Sequence, residues 1–413
     1  MLCTDRMKGA RMMSGKIYAI VGNWGFSPAP KGITTYEYLP ESGDLKLIET
    51  TRPDIAAGQL CLDQERSIVY VCNECGERRG EIGGGGYVLA FRFDPKSGTL
   101  TMMNEKDSLC PEPAYLCLDK SKKYLLACHC SDPWHVTKVV KHEDGTFSNE
   151  VLFDDTGLVL FRINDDGSIG DACDISITKG TGGKGINSEV NVDPVSGHIQ
   201  LVQVLSRLHC IVPSPDGELF VACDKGMDCV YTYNLDRENG KLIQLDRFDT
   251  NPKVFPRYAA FHPTIPVFYA NNEFDPTLNG FTYDKETGKI TQFCNVPLLF
   301  EDRGLMDGKP VGAQDILVAP DGKTLYCSLV GVHSIAVLRL DPQGIPTLTQ
   351  VIPCGGNMPR AMQLSPDGRF LFSGNMISGD ITAFHVIEDG KLLDTGKKTE
   401  AVSPSVIRFF VTK

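Results

Sequence analysis

No stretch of about 18 apolar residues occurs in this chain, so nothing in it reads as a membrane-spanning helix. The opening MLCTDRMKGARMMSG has basic residues but no apolar core, which argues against an export leader. Basic residues are in deficit: 41 Lys and Arg stand against 52 Asp and Glu, a formal charge of −11 at pH 7. Sequence-independent nucleic-acid affinity needs clustered cations, so neither nucleic acid nor membrane is expected as a partner. No GxSxG elbow is present, which disfavours a serine hydrolase. The glycine run at 83–86 lacks the Lys and Ser or Thr of a phosphate loop and reads as a turn. The 15 Cys follow no framework spacing, and many sit in apolar stretches, as at Cys61, Cys72, Cys117 and Cys223. There a reduced Cys acts as a small hydrophobe, so a reducing cytoplasm is the expected compartment.

What the chain does have is 41 Gly and 25 Pro spread along its whole length, as many short strands joined by tight turns require. Self-comparison shows a repeat of roughly 40 to 50 residues, the signature of a solenoid or propeller. Six copies are complete: AAGQLCLDQERSIVYVCNE, EPAYLCLDKSKKYLLACHC, SRLHCIVPSPDGELFVACD, PRYAAFHPTIPVFYANNE, GAQDILVAPDGKTLYCS and PRAMQLSPDGRFLFSGN. A third strand and a polar turn follow each, with turn glycines at Gly43, Gly98, Gly145, Gly240, Gly288, Gly344 and Gly390. Five of the six spacings are similar and the one after Gly145 is 95 residues, which locates an insertion at about 151–205. That insertion carries a hairpin, GLVLFRINDDGSI, and a Gly-rich stretch at 179–196 that reads as a loop, placed to form a lid. The seventh unit is split: SPSVIRFF at the tail supplies its opening strand, and KIYAIVGNWG with GITTYEYLPESGDL at the front supplies the rest. The expected fold is all-β, a seven-bladed β-propeller of four antiparallel strands per blade, closed by pairing of the N- and C-terminal strands. It occupies residues 16–413 as one domain. Residues 1–15 read as a disordered or mis-started segment, with Met13 as the alternative start.

In a propeller the inner strands converge on a central channel, so polar residues at their ends are the functional candidates. The aromatics of the second strands, Phe220, Phe268, Tyr326 and Phe372, read as blade-to-blade packing. Three ionisable residues stand out: His209 in SRLHCIVPSPDG, Arg257 at nearly the same place one unit later, and Glu273 at the end of the strand that follows. Burying these together is costly unless they pair with one another or meet a charged ligand, which leaves a satisfied network and an anion site both open. CNEC at Cys72 to Cys75 is a lone CxxC. Cys128, His129, Cys130 and His135 lack ligand spacing, so no metal and no cofactor is expected. His262, in FHP, reads as a turn residue.

With these motifs in place, the chain resembles the seven-bladed propeller lactonases, the family of propeller-type 6-phosphogluconolactonases and fungal carboxymuconate cycloisomerases. The resemblance runs from YAIVGNWG through NECGERRG, GGYVLAFRFDPKSGTL, HCIVPSPDGELFVACD, PRYAAFHP, NNEF and HSIAVLRLD to PRAMQLSPDGRFLFSGN. It implies a site at the channel mouth built from His209, Arg257 and Glu273 on successive blades, acting on a lactone or related organic acid. Arg207, Gln314, Asp315, Val330 and Arg360 are its implied substrate contacts. The chain also departs from the family pattern. Val330, in SLVGVHSI, stands where the family has an Arg, Leu317 stands where it has a His, and SRLH replaces a PHxH-like approach. Loss of a guanidinium removes bidentate anion recognition, so Val330 and Leu317 are expected to form one apolar wall favouring a less charged ligand. Hydrolysis of a cyclic ester is the leading expectation, with Arg257 on the oxyanion and His209 or Glu273 as base. A lactonising cycloisomerase and a non-catalytic metabolite- or protein-binding propeller are the alternatives.

Overall fold

The computed structural model describes residues 15–25, 31–78, 81–82, 85–130, 135–178, 190–192, 199–201, 205–301, 305–306 and 309–413. Residues 1–14 and most of the 179–196 loop, with the lid expected there, lie outside this set. Among the described residues no helix is long and apolar enough to cross a membrane, and the cysteines are free thiols.

Seven four-stranded antiparallel sheets make up the molecule, and the first strand of each contacts the first strand of the next in a closed ring. Blade 1 joins the chain ends: Pro404–Val411 is its innermost strand, followed outward by Ile17–Asn23, Ile33–Leu39 and Asp44–Thr51. Residues from Ile17↔Val411 to Asn23↔Pro404 pair across that junction, so the ring has no open inner edge. The inner strands of blades 2 to 7 are Ala57–Asp63, Pro113–Leu118, Leu208–Pro213, Pro256–Phe261, Gly312–Val318 and Pro359–Leu364. Their second strands are Ile68–Asn73, Tyr124–His129, Leu219–Asp224, Val267–Asn272, Thr324–Val330 and Phe370–Asn375.

The second-strand aromatics do pack between blades, and Phe220, Phe268, Tyr326 and Phe372 are all buried. The tyrosines do more. Tyr70 of blade 2 donates its hydroxyl to the Gly167 carbonyl of blade 3 at 2.7 Å, and Tyr326 of blade 6 reaches Gly390 of blade 7 at the same length. Tyr124 and Tyr269 make the equivalent bonds to Arg237 and Gly344. Each outer turn is thus tied to the preceding blade. A positive φ at the turn glycine, 86° at Gly167 and 71° at Gly390, presents that carbonyl.

This arrangement corrects the insertion. The turn at Gly145 belongs to an extra hairpin, His135–Lys141 with Phe147–Phe153, inserted between the second and third strands of blade 3. The hairpin GLVLFRINDDGSI supplies that blade's own outer strands, Thr156–Ile163 and Ile169–Thr178, so the blade turn is at Gly167. Both turns carry Asp followed by a glycine at positive φ, so turn chemistry cannot tell them apart. Burial can: residues 141–149 are exposed, whereas 156–161 are buried.

Three further two-stranded hairpins pair Glu77–Arg78 with Glu81–Ile82, Val190–Val192 with Ile199–Leu201, and Leu305–Met306 with Lys309–Pro310. Each of the four additions lies in a second-to-third-strand loop or a blade-to-blade loop. In antiparallel blades those loops all emerge at one end, the end where the inner strands begin. The opposite end carries a broad groove between blades 6 and 7, about 1290 Å³, lined by Asp321, Lys323, Arg339, Asp367 and Glu388 among others.

Tyr70→Phe removes one buried blade-to-blade hydrogen bond and leaves the Gly167 carbonyl unpaired. It is expected to cost about 1–2 kcal/mol in denaturant unfolding, with the ring's packing and the far-UV spectrum unchanged.

Candidate active site

The inner strands share an irregularity at the end carrying the additions. In blade 4 the pairing steps from Leu208↔Asp224 to Cys210↔Cys223 and skips His209. In blade 5 it steps from Pro256↔Asn272 to Ala259↔Ala270, leaving out Arg257 and Tyr258. Blade 6 leaves out Gln314 and Asp315, blade 7 Arg360, blade 2 Gly58, blade 3 Ala114 and blade 1 Ser405. A bulge of this kind releases a residue from the ladder and re-aims its side chain. The candidate side chains therefore stand at the bulges, in a ring about the channel mouth.

A second ring comes from the residues that follow the second strands: Trp24, Glu74, Cys130, Lys225, Glu273 and Met376. The two rings interlock. Glu273 Oε2 accepts a hydrogen bond from Lys225 Nζ at 2.8 Å and faces Arg257 Nε at 3.8 Å. Arg257, fully buried, donates Nη1–H to the Gln314 carbonyl at 2.5 Å and stacks over the Tyr258 ring at 4.3 Å. Opposite, Arg360 Nη2 lies 3.2 Å from Glu74 Oε2, and its guanidinium sits 3.9 Å from the centre of the Trp24 ring. Gly58 makes that pair possible, because a Cβ there would collide with the Glu74 carboxylate. Gly312 does the same for Glu273, whose carbonyl occupies the space of a Cβ.

His209 is buried, with its ring edge-on to Tyr258 at 5.6 Å between centroids and its Nδ1 without a hydrogen-bond partner. Burial pushes its pKa well below the ordinary value, and the charges of Arg257, Lys225 and Arg360 push the same way. The imidazole is therefore neutral at neutral pH. Burial alone would raise the Glu273 carboxyl, but Lys225, Arg257 and Arg207 outweigh it and hold the group at about 2. For Glu74 burial wins over Arg360, Arg257 and Lys225, and its pKa is raised. Four cations, Arg207, Lys225, Arg257 and Arg360, gather at the mouth against Glu74, Glu273 and Glu112, the last lying beside Cys130.

His209, Arg257 and Glu273 are thus brought together, although Arg257 and Glu273 share one blade rather than coming from successive ones. Arg207 bears electrostatically on Glu273, and Arg360 pairs with Glu74. Gln314 serves through its carbonyl. Asp315 is spent on the chain: its oxygens accept the N–H groups of Ile316 at 2.8 Å and Met362 at 2.6 Å, clamping blade 6 to blade 7. The apolar wall divides. Val330 pairs with Gly312 at the mouth, while Leu317 pairs with Tyr326 about 13 Å farther along the strand and packs in an inter-blade core. His262 is the expected turn residue, but it is buried, with Nε2 2.9 Å from the Gly322 carbonyl of the next blade. His129 is also buried, its Nδ1 2.9 Å from the Gly157 carbonyl. The His135 side chain lies outside the described set. Among the described residues no three His, Cys, Asp or Glu side chains converge on a metal position.

Glu74 and Lys225 were missed by the sequence reading. The signal was present, since Glu74 ends its repeat copy as VCNE and Lys225 follows ACD, both aligned with Glu273 in ANNE.

The lactonase, 7-bladed beta-propeller family matches residues 21–409. The chain belongs to this family. Among curated lactonase relatives, a 6-phosphogluconolactonase of Formosa agariphila is 24% identical over 379 residues, covering 90% of this chain and 93% of its own. A 6-phosphogluconolactonase of Bacillus subtilis is 26% identical over 302 residues, 73% of this chain and 74% of its own. A periplasmic gluconolactonase of Pseudomonas aeruginosa superposes with a TM-score of 0.79 at 22% identity, covering 96% of this chain and all of that one. At that identity the likeness is one of fold. Family membership carries a small-molecule lactone as the kind of substrate, while the mouth chemistry described above is this chain's own.

The low pKa of Glu273 has a consequence for stability. The folded value of about 2 lies below the unfolded one of about 4.3, so the ion pairs stabilise the fold above that pH and their contribution is lost as pH falls toward 2. Glu273→Gln is expected to lower the melting temperature at pH 7, with the gap to the wild type closing between pH 4.5 and 2.5 in a calorimetric series.

Proposed function

We propose that the protein hydrolyses a lactone of a sugar acid or related organic acid at the channel mouth. The observation that carries this reading is a neutral, buried His209 with an unused ring nitrogen beside a fixed guanidinium, Arg257, whose Nε–H makes no hydrogen bond. His209 takes a proton from the water that adds to the ring carbonyl. Arg257 stabilises the oxygen that becomes negative in that step. The tetrahedral adduct collapses by breaking the ring C–O bond. The imidazolium returns its proton to the leaving alkoxide, and the product is a hydroxy acid. Of the two bases open from sequence, Glu273 is the weaker choice. Locked to Lys225 and held at about 2, it serves to orient Lys225 and Arg257. The fixed guanidinium of Arg257 beside Lys225 supports a ligand that is, or becomes, an anion. The free thiols support the cytoplasm as the working compartment.

His209→Ala and Arg257→Ala are each expected to lower kcat/KM by at least about a hundredfold, measured on glucono-lactone with a pH indicator against an enzyme-free control. Unchanged rates in both variants would end the proposal. Since burial and neighbouring cations depress the imidazole pKa, the acid limb of kcat/KM should fall below the usual imidazole value of about 6.5. A limb at or above it would point to another base.

A further inference from the structure

The reaction above leaves one buried polar group at the mouth without a task. The Tyr258 hydroxyl has no hydrogen-bond partner, in a residue only 4% exposed. Such a group costs free energy unless something pairs with it.

Tyr258 owes its place to the bulge in blade 5, which takes Arg257 and Tyr258 out of the ladder together. The N–H that Tyr258 withdraws from the ladder is donated instead to Asn271 Oδ1 at 2.9 Å. Three neighbours then fix the ring. Arg257 lies over its face at 4.3 Å from the centre, and His209 stands edge-on at 5.6 Å. Tyr115 of blade 3 meets it edge to face at 5.2 Å, although blade 4 separates their blades. The charges that bear on the phenol belong to Arg257 of blade 5, Arg360 of blade 7, Asp315 of blade 6 and Glu74 of blade 2. A group that feels four blades lies toward the channel axis. Burial outweighs the two cations and pushes the phenol up to about 12, so at neutral pH it is an uncharged donor.

Its spacing from Arg257 suits a shared ligand atom. The hydroxyl oxygen is one ring radius and one C–O bond from the centre over which the guanidinium sits at 4.3 Å. One oxygen placed between the two can accept from both, each at about 2.8 Å. Arg257 Nε, like the Tyr258 hydroxyl, is buried with no hydrogen-bond partner, so consecutive residues carry two unused donors.

We propose that Tyr258 is a further catalytic residue, whose hydroxyl donates beside Arg257 to the lactone carbonyl oxygen as that oxygen becomes negative. The assignment rests on the lactonase reading and deepens it. The phenol keeps its proton throughout, so the bonds made and broken are those of the reaction above. A pair of donors aimed at a carbonyl recognises the reacting group itself, whatever the rest of the ligand carries.

Tyr258→Phe removes only the hydroxyl. It is expected to lower kcat/KM for glucono-lactone by about 10- to 100-fold, mostly through kcat, because the bond strengthens as charge develops. The melting temperature should hold or rise, since no partner in the protein is orphaned. A structural hydroxyl would show the reverse, a lower melting temperature with kcat nearly unchanged, and that result would overturn the assignment. A second arm needs no turnover. In calorimetric titration, gluconolactam, a ring with an amide carbonyl, should bind the variant about three- to tenfold more weakly. Anhydroglucitol, a ring with no carbonyl, should change less than about twofold. The carbonyl stretch of bound gluconolactam, lowered by two donors, should move part of the way back in the variant. Equal losses for both rings, or an unshifted stretch, would overturn the assignment. Tyr258-dependent binding of gluconolactam by a wild type that hydrolyses no lactone would keep the donor and remove the reaction. Hydrolysis that survives Tyr258→Phe but fails in His209→Ala would keep the reaction and remove the donor. A wild type that neither hydrolyses a lactone nor binds gluconolactam would overturn both.

Discussion

The bulge at the start of each inner strand is the constraint on which the site depends. In a regular ladder, residues beside the channel would alternate between the two inter-blade cores, and a charged side chain there would be buried in apolar packing. Skipping a pair at His209, at Arg257 and Tyr258, at Gln314 and Asp315 and at Arg360 takes these residues out of that alternation. Ring closure then turns separate irregularities into one site. Because Pro404–Val411 completes blade 1, Arg360 of blade 7 can meet Glu74 of blade 2 across the mouth, 286 residues apart in the chain.

The electrostatics follow from that convergence. Burying ionised groups is costly, and the cost is met by pairing: Glu273 with Lys225 and Arg257, Glu74 with Arg360. The pairs are unequal. Glu273 has several cations around it and stays ionised at low pH, whereas burial dominates at Glu74. The same cations help burial hold His209 neutral, so one charge distribution both fixes the carboxylates and keeps the imidazole unprotonated.

Several features were legible because they are local. Seven repeats, the closing strand and the inward aromatics follow from hydrophobic pattern and turn chemistry, and His209, Arg257 and Glu273 were found by aligning repeat copies. The same alignment contained Glu74 and Lys225, but nothing in it marked them as partners, since pairing runs between blades. Gly145 reads as a blade turn in the sequence because an Asp-Gly hairpin has the same turn residues whether or not it packs on a neighbour. Leu317 and Asp315 enter the site only as positions that the family resemblance implies. Leu317 lies about 13 Å along the strand from Val330, and Asp315 is held by the backbone of the next blade.

By itself the sequence determined the architecture: all-β, seven units, one of them shared by the chain ends. Those properties depend on residue spacing within a few tens of positions. Only the tertiary structure decided which groups act together. Charge interactions depend on distance through space, and closing the ring brings Glu74, Arg360 and Arg408 within reach of residues hundreds of positions away.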